Sequence, residues 1–145
     1  MPRVKLNLPE HFLFTTEIDV RIGDINYGGH LGNDALLALL HEARVRFLGR
    51  MGYSEKDVEG AGIIMTDAVI VYRAEAFHAD LLRIDLAVDD MQAAGCDILY
   101  RVLNARDQKE VARAKTGIAF FDYTSRRVVP LPEQFRARLQ KRDTP

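Results

Sequence analysis

The sequence is short of several things, and each shortage removes a class of protein. It holds one cysteine, Cys96, in 145 residues. A single thiol closes no internal disulfide, so the chain is not stapled for an oxidising compartment, and no cysteine cluster is available to a metal. Net charge is also lacking: 20 Lys and Arg against 21 Asp and Glu leave −1. That balance supplies no long-range attraction to nucleic acid or to an anionic membrane. A phosphorylated ligand would have to meet a local group of Arg and Lys. The longest apolar run, Ala35 to Leu40, is far below the roughly 20 residues that cross a bilayer, so no membrane span is expected. Met1 to Phe14 has no long apolar run and contains two prolines, so no secretory leader is expected and the cytoplasm is the expected compartment. Internal repeats and low-complexity tracts are absent too. One domain over residues 1–145 is the simplest organisation, and the length suffices for one sizeable core.

What is present falls into alternating patterns. Thr16 to Ile22 alternates polar and apolar residues, which puts Ile18, Val20 and Ile22 on one face of a half-buried strand. A loop with four glycines follows, Gly23 to Gly32. Such a loop reaches left-handed backbone angles and brings main-chain NH groups close to a ligand. From about Leu31 to Arg50 the pattern becomes helical, with Asn33 or Asp34 as N-cap and Gly49 or Gly52 as the stop. Six consecutive apolar residues cover every side of this helix, which predicts burial all round. Only its second half, with Glu42, Arg44, Arg46 and Arg50, turns amphipathic. Beyond a polar turn at 54–60 the residues read as strands at Ile63–Arg73, Leu82–Asp89, Asp97–Asn104 and Val111–Tyr123. On the last of these Ala112, Ala114, Thr116, Ile118 and Phe120 share a face. The short connections predict antiparallel neighbours. A short helix over about Pro132–Gln140 closes the chain. A flat sheet of this size does not enclose a helix apolar on all sides. Either the sheet curls around it, or a second copy covers the remainder.

The loop before the helix carries the chemistry-bearing residues. The free NH groups of a helix's first turn, together with its dipole, favour developing negative charge. Gly28, Gly29 and Gly32 let a carbonyl approach, and the NH of Gly29, His30 or Leu31 is the expected donor to it. Asn26 takes up no proton at neutral pH, but it can orient water or donate from its amide. Asp24 is either a base or an orienting partner of His30, and a histidine suits general-base work near neutrality. Plainer readings stand beside these. His30 reads equally as an exposed loop histidine or a helix cap. Glu42 with Arg46 at i,i+4 is an ordinary surface ion pair. Asp80 caps a turn, Cys96 is a small strand residue without an activating partner, and Met51, Met65 and Met91 fill core or pocket space. His11, His41 and His78 show no ligand spacing, so no metal is expected.

The stretch Asp24-Ile-Asn-Tyr-Gly-Gly-His-Leu-Gly-Asn33, running on to His41-Glu-Ala-Arg44, resembles the signature of hot-dog thioesterases, roughly DxDxxGHVNN followed by EEAR. Asp24, Gly29, His30, Asn33, Glu42, Ala43 and Arg44 match. Val71-Tyr-Arg73 with Asp80, and Phe120-Phe-Asp122 with Pro130, fit as well. The resemblance runs from about Thr16 to Leu139 and is strongest to long-chain acyl-CoA and acyl-carrier thioesterases, with the 4-hydroxybenzoyl-CoA type more distant. It implies an α+β hot-dog fold, a curved antiparallel sheet of about five strands wrapped around one long central helix. It also implies an enzyme that hydrolyses an acyl-CoA or acyl-carrier-protein thioester, with no cofactor beyond the coenzyme A of its substrate. A homodimer or homotetramer with the pocket at a subunit interface is implied as well. Two positions depart from the pattern: the second loop Asp, a base or nucleophile in many members, is Asn26, and the first Asn of HVNN is Gly32. The catalytic set expected on this basis is Asp24, Asn26 and His30, with Gly28, Gly29, Leu31, Asn33 and Glu42 around the substrate. Glu42 lies far along the helix from Leu31, so only a partner subunit would bring it to a loop. Two other readings remain: a lyase that hydrates or dehydrates an acyl thioester through an Asp24–His30 pair, and a non-catalytic acyl-thioester binder, suggested by Asn26.

Overall fold

The computed structural model describes residues 2–143. In chain order the elements are β1 (Phe14–Asp19), a short 3-10 turn (Ile22–Asp24), α1 (Asn33–Arg50), β2 (Gly62–Tyr72), β3 (Leu81–Asp89), β4 (Gly95–Asn104), β5 (Glu110–Asp122), β6 (Arg127–Val128) and α2 (Glu133–Asp143). The strands form one antiparallel sheet in the order β1-β3-β4-β5-β2, with the two-residue β6 added beside β5. The sheet is curved and unclosed around α1, the hot-dog arrangement expected.

Burial, rather than capping, holds α1. Its N-cap is Gly32, which offers no side-chain acceptor, so the expected Asn33 or Asp34 cap is not the one used. A side-chain cap contributes about 1 kcal/mol. Leu36, Leu39, Leu40, Phe47 and Leu48 are instead buried against Leu82, Ile84, Leu86, Ile98 and Phe120, and each such side chain contributes about 1.5–3 kcal/mol. The C-terminal end closes as a Schellman motif: Tyr53 N donates to Leu48 O at 2.8 Å and Gly52 N to Gly49 O at 3.0 Å. Gly52 takes the left-handed φ of 84° that this motif requires, a conformation glycine adopts without strain.

Burial all round, however, is not reached within one chain. Leu37 and Val45 are each 43% exposed, so the curled sheet leaves one flank of α1 uncovered. The strand expected to reach Ile22 stops at Asp19, and Ile22 is 71% exposed. The cause is local: the Asp24 carboxylate accepts the Arg21 NH at 2.9 Å and tightens the chain into the 3-10 turn. Leu31 lies before the helix, in a bridge to Ile25.

The convex face of the sheet is charged and partly strapped by the N-terminal segment. Asp85, 3% exposed, accepts from Thr15, Arg83 and Arg101. The Phe12 ring lies 4.6 Å from the Arg101 guanidinium, and Arg113 donates to Leu6 O at 2.8 Å. Among the described residues no helix is long and apolar enough to cross a membrane.

Candidate active site

The loop at 23–32 is held by its own polar groups. Asn26 Oδ1 accepts the Gly28 NH at 2.9 Å, as in an Asx turn. Asn26 N donates to His30 O at 2.9 Å, and Gly29 N to Asn26 O at 3.0 Å. Gly29 has φ 83°, which explains a glycine there. Asp24 O accepts the Gly32 NH at 2.9 Å, and Leu31 N donates to Ala76 O at 2.8 Å, which ties the loop to the chain leaving β2.

These bonds narrow the expected oxyanion donors. The amides of Gly28, Gly29 and Leu31 are taken by protein acceptors. Of the three proposed donors only the His30 NH has no acceptor among the described residues. His30 Nδ1 lies 3.2 Å from Leu31 O. With the proton assigned to Nδ1, Nε2 is left as an acceptor.

Loop, first turn of α1 and C-terminal end of β2 enclose a cleft of about 1060 Å³. Asn26, His30, Leu31 and Asn33 line it, so four of the expected residues meet there. Tyr27, Asp34, Tyr72, Arg73 and Glu75, none of them singled out as site residues, line it as well. Burial first, and the Asp34 charge second, raise the Tyr72 phenol above its usual range, so it stays a protonated donor at neutral pH. Four expected residues do not line it: Gly28 and Gly29 form the turn of the loop, and Asp24 and Glu42 are elsewhere. Asp24 turns its carboxylate to Arg21, and Glu42 pairs with Arg46 at 2.8 Å. Both line a separate hollow beside β1. Asp24 therefore holds the loop, and the Asp24–His30 pair that a lyase reading needs is not brought together in the cleft.

A second cleft, about 920 Å³, opens between α1 and the first half of β2. The amphipathic reading of α1 set Arg44 on the polar side, yet it is 5% exposed. Arg44 Nε donates to Glu55 Oε2 at 2.9 Å and its other arm to the Tyr100 hydroxyl at 3.1 Å, which in turn meets Thr116 Oγ1 at 2.7 Å. The other Glu55 oxygen is 2.6 Å from His41 Nε2. Burial by itself would raise the Glu55 carboxyl, but the hydrogen bonds from Arg44 and His41 outweigh it and hold it below the ordinary carboxylate range. Glu55 sits in the turn the sequence marks only as polar, and no spacing ties it to His41. Asp34 lines both clefts.

Cys96 is buried on β4, and burial first pushes its thiol up to about 12, with the charge of Asp97 adding to it. A thiol so raised is no nucleophile at neutral pH. Among the described residues no group of three or more His, Cys, Asp or Glu could hold a metal ion.

The sequence itself matches a known family. The family described as the thioesterase-like superfamily fits residues 20–139, from just after β1 into α2. The chain belongs to the thioesterase-like superfamily. Membership makes this thioesterase-like protein a thioester hydrolase by class. Solved structures share its fold. A 1,4-dihydroxy-2-naphthoyl-CoA thioesterase from Synechocystis superimposes with a TM-score of 0.81 at 24% identity, over 91% of this chain and 98% of that one. The protein PA2801 of Pseudomonas aeruginosa does so with 0.81 at 22% identity, over 88% and 98%. A gentisyl-coenzyme A thioesterase gives 0.76 at 16% identity, over 85% and 99%. No curated protein matches the chain by sequence.

Proposed function

We propose that this thioesterase-like protein hydrolyses an acyl-CoA, or the same acyl group on a carrier protein, to a carboxylic acid and a free thiol. One observation carries the reading furthest. In a glycine-shaped loop at the N-terminus of the central helix, the His30 amide has no acceptor among the described residues, beside a cleft that also holds Asn26, Tyr72 and the His30 ring. The thioester oxygen sits at that amide, where the helix dipole adds to the stabilisation of developing negative charge. Asn26 Nδ2 and His30 Nε2 orient the attacking water, and Asp24 keeps the loop in shape through Arg21. No cofactor enters the reaction; coenzyme A arrives and leaves as part of the substrate.

The working unit in this proposal is a homodimer, or a tetramer made of two. β2 is a terminal strand, exposed from Met65 to Ala68, and Leu37 lies uncovered on the neighbouring flank of α1. An unpaired edge beside an apolar flank is suited to pairing with a second copy across a two-fold axis. Light scattering of the purified protein should return at least twice the mass of the chain.

The test of activity is a panel of acyl-CoAs, aliphatic and aromatic, scored by release of free thiol. Turnover of at least one member well above buffer is expected. If every member binds and none is cleaved, the protein is a thioester binder and the hydrolase reading falls.

A further inference from the structure

The thioester cleft presents a neutral amide, Asn26, at the loop position where an acid is expected, and Asp24 is turned away from it. The His30 ring leans on a backbone carbonyl, which orients an imidazole but carries no full charge to stabilise the imidazolium. The second cleft holds what the first lacks. His41 Nε2 is 2.6 Å from a carboxylate, and that carboxylate is fixed from behind by a buried arginine, itself anchored on the Tyr100 hydroxyl, which Thr116 holds in turn. A histidine backed by a fixed carboxylate has its ring and tautomer set, so that its other nitrogen faces the cleft as an acceptor, the arrangement used by effective general bases.

The two clefts occupy opposite ends of one strand. The loop cleft meets β2 at Tyr72 and the residues after it, and the His41 cleft meets β2 from Ile63 to Ala68. Within one chain the two clefts share Asp34 as their one common lining residue, but His41 lies about 12 Å beyond Asn33 along α1, at about 1.5 Å per residue. A two-fold axis normal to the sheet that pairs the free β2 edge with that of a second copy runs the two strands antiparallel. The end of one β2 then lies beside the beginning of the other, with both helices on the same side of the joined sheet. The loop cleft of each subunit is thereby set against the His41 cleft of the other.

On the reading of the protein as a dimeric thioester hydrolase, we propose that His41 is the general base for the thioester held in the partner subunit's loop, with Glu55 as its positioning residue and Arg44 as the support of Glu55. His41 donates its Nε2 proton to Glu55 and accepts at Nδ1. Water gives a proton to Nδ1 as its oxygen bonds to the thioester carbon. The tetrahedral intermediate collapses with cleavage of the C–S bond, and the imidazolium returns the proton to the departing thiolate. Acid and thiol are the only products, and no oxidant or reductant is needed.

The experiment uses an acyl-CoA that the wild-type protein cleaves. His41→Ala should lower kcat by about 100-fold or more with little change in KM, and added imidazole should restore part of it. Glu55→Gln should lower kcat by about tenfold, again at near-constant KM. Because His41 is half-exposed, its removal should leave folding intact, and His41→Gln provides a second variant of similar size. Mixing His41→Ala with the loop variant Gly29→Val, then unfolding and refolding them together, should yield hybrid dimers with one intact site. That mixture should recover about a quarter of wild-type activity if subunits pair at random. His41→Ala activity within about threefold of wild type overturns the proposal, as does loss of activity in Asp34→Asn with His41→Ala unaffected. A refolded mixture no more active than the sum of its parents overturns the cross-subunit placement. If the wild-type protein cleaves no thioester at all, the hydrolase reading itself fails, a result distinct from a silent His41.

Discussion

Removing the Tyr100 hydroxyl tests whether Arg44 is held as the structure indicates. Tyr100 is fully buried; its oxygen accepts from Arg44 at 3.1 Å and meets Thr116 Oγ1 at 2.7 Å. Tyr100→Phe keeps the ring and leaves a charged donor and a hydroxyl without their partner. Leaving a charged donor unsatisfied costs about 2 kcal/mol. For a domain of this length that is a fall in Tm of about 8 °C, at about 4 °C per kcal/mol. Arg44→Met should cost about as much, because Glu55 and Tyr100 then lose their common partner. With both changes made, neither is left facing a missing partner. The double variant should therefore be about 1–2 kcal/mol more stable than the sum of the single losses implies. The assay is urea unfolding of all four proteins at one protein concentration, since dimer formation makes stability depend on concentration. Losses that add to within about 0.5 kcal/mol refute the reasoning.

Three further outcomes are expected. Glu55 is held below the ordinary carboxylate range, so its contribution to stability is complete above that range and disappears as pH falls through its folded value; the stability gap between wild type and Glu55→Gln should close below about pH 4, and a gap constant from neutral to acid pH counts against the pairing. Cys96, with its thiol pushed up to about 12, should resist a disulfide reagent at pH 8 until the protein is unfolded; rapid stoichiometric labelling of the native protein contradicts its burial. Asn26→Ala removes the acceptor for the Gly28 NH and a donor from the cleft; kcat/KM should drop by at least about tenfold while stability changes by no more than about 1 kcal/mol, and unchanged kinetics dismiss Asn26 from the site.

The helix, the loop before it and the strands were readable because each depends on a local pattern. Periodicity marks α1 and β3, and four glycines mark the loop. The misreadings have physical causes as particular. An all-apolar turn says that residues 35–40 avoid water, but not whether the same chain or a second copy does the covering, and Leu37 remains open. Alternation carried the first strand on to Ile22, whereas one carboxylate, Asp24, turned that segment into a 3-10 turn. Glycine spacing suggested free amides at Gly29 and Leu31, but the acceptors that take them include Ala76 O, remote in sequence. Arg44 counted as polar by type and is buried by its three-dimensional company. Glu55 went unnoticed because nothing in a polar turn reports which side chain folds back against His41 and Arg44.

The order of strands bears on how the molecule comes into being. β3, β4 and β5 are joined by short hairpins and pair in succession, contacts that close quickly because little chain entropy is lost. β2 has no such neighbour in sequence. It must wait for β5, which lies three strands later, and it joins there from Gly62 against Phe121 to Tyr72 against Ala112. The meander can thus collapse on α1 before β2 docks. On this ordering of contacts the strand that borders both clefts is expected to be among the last fixed, so a folding chain would acquire a core before it acquires a place for substrate.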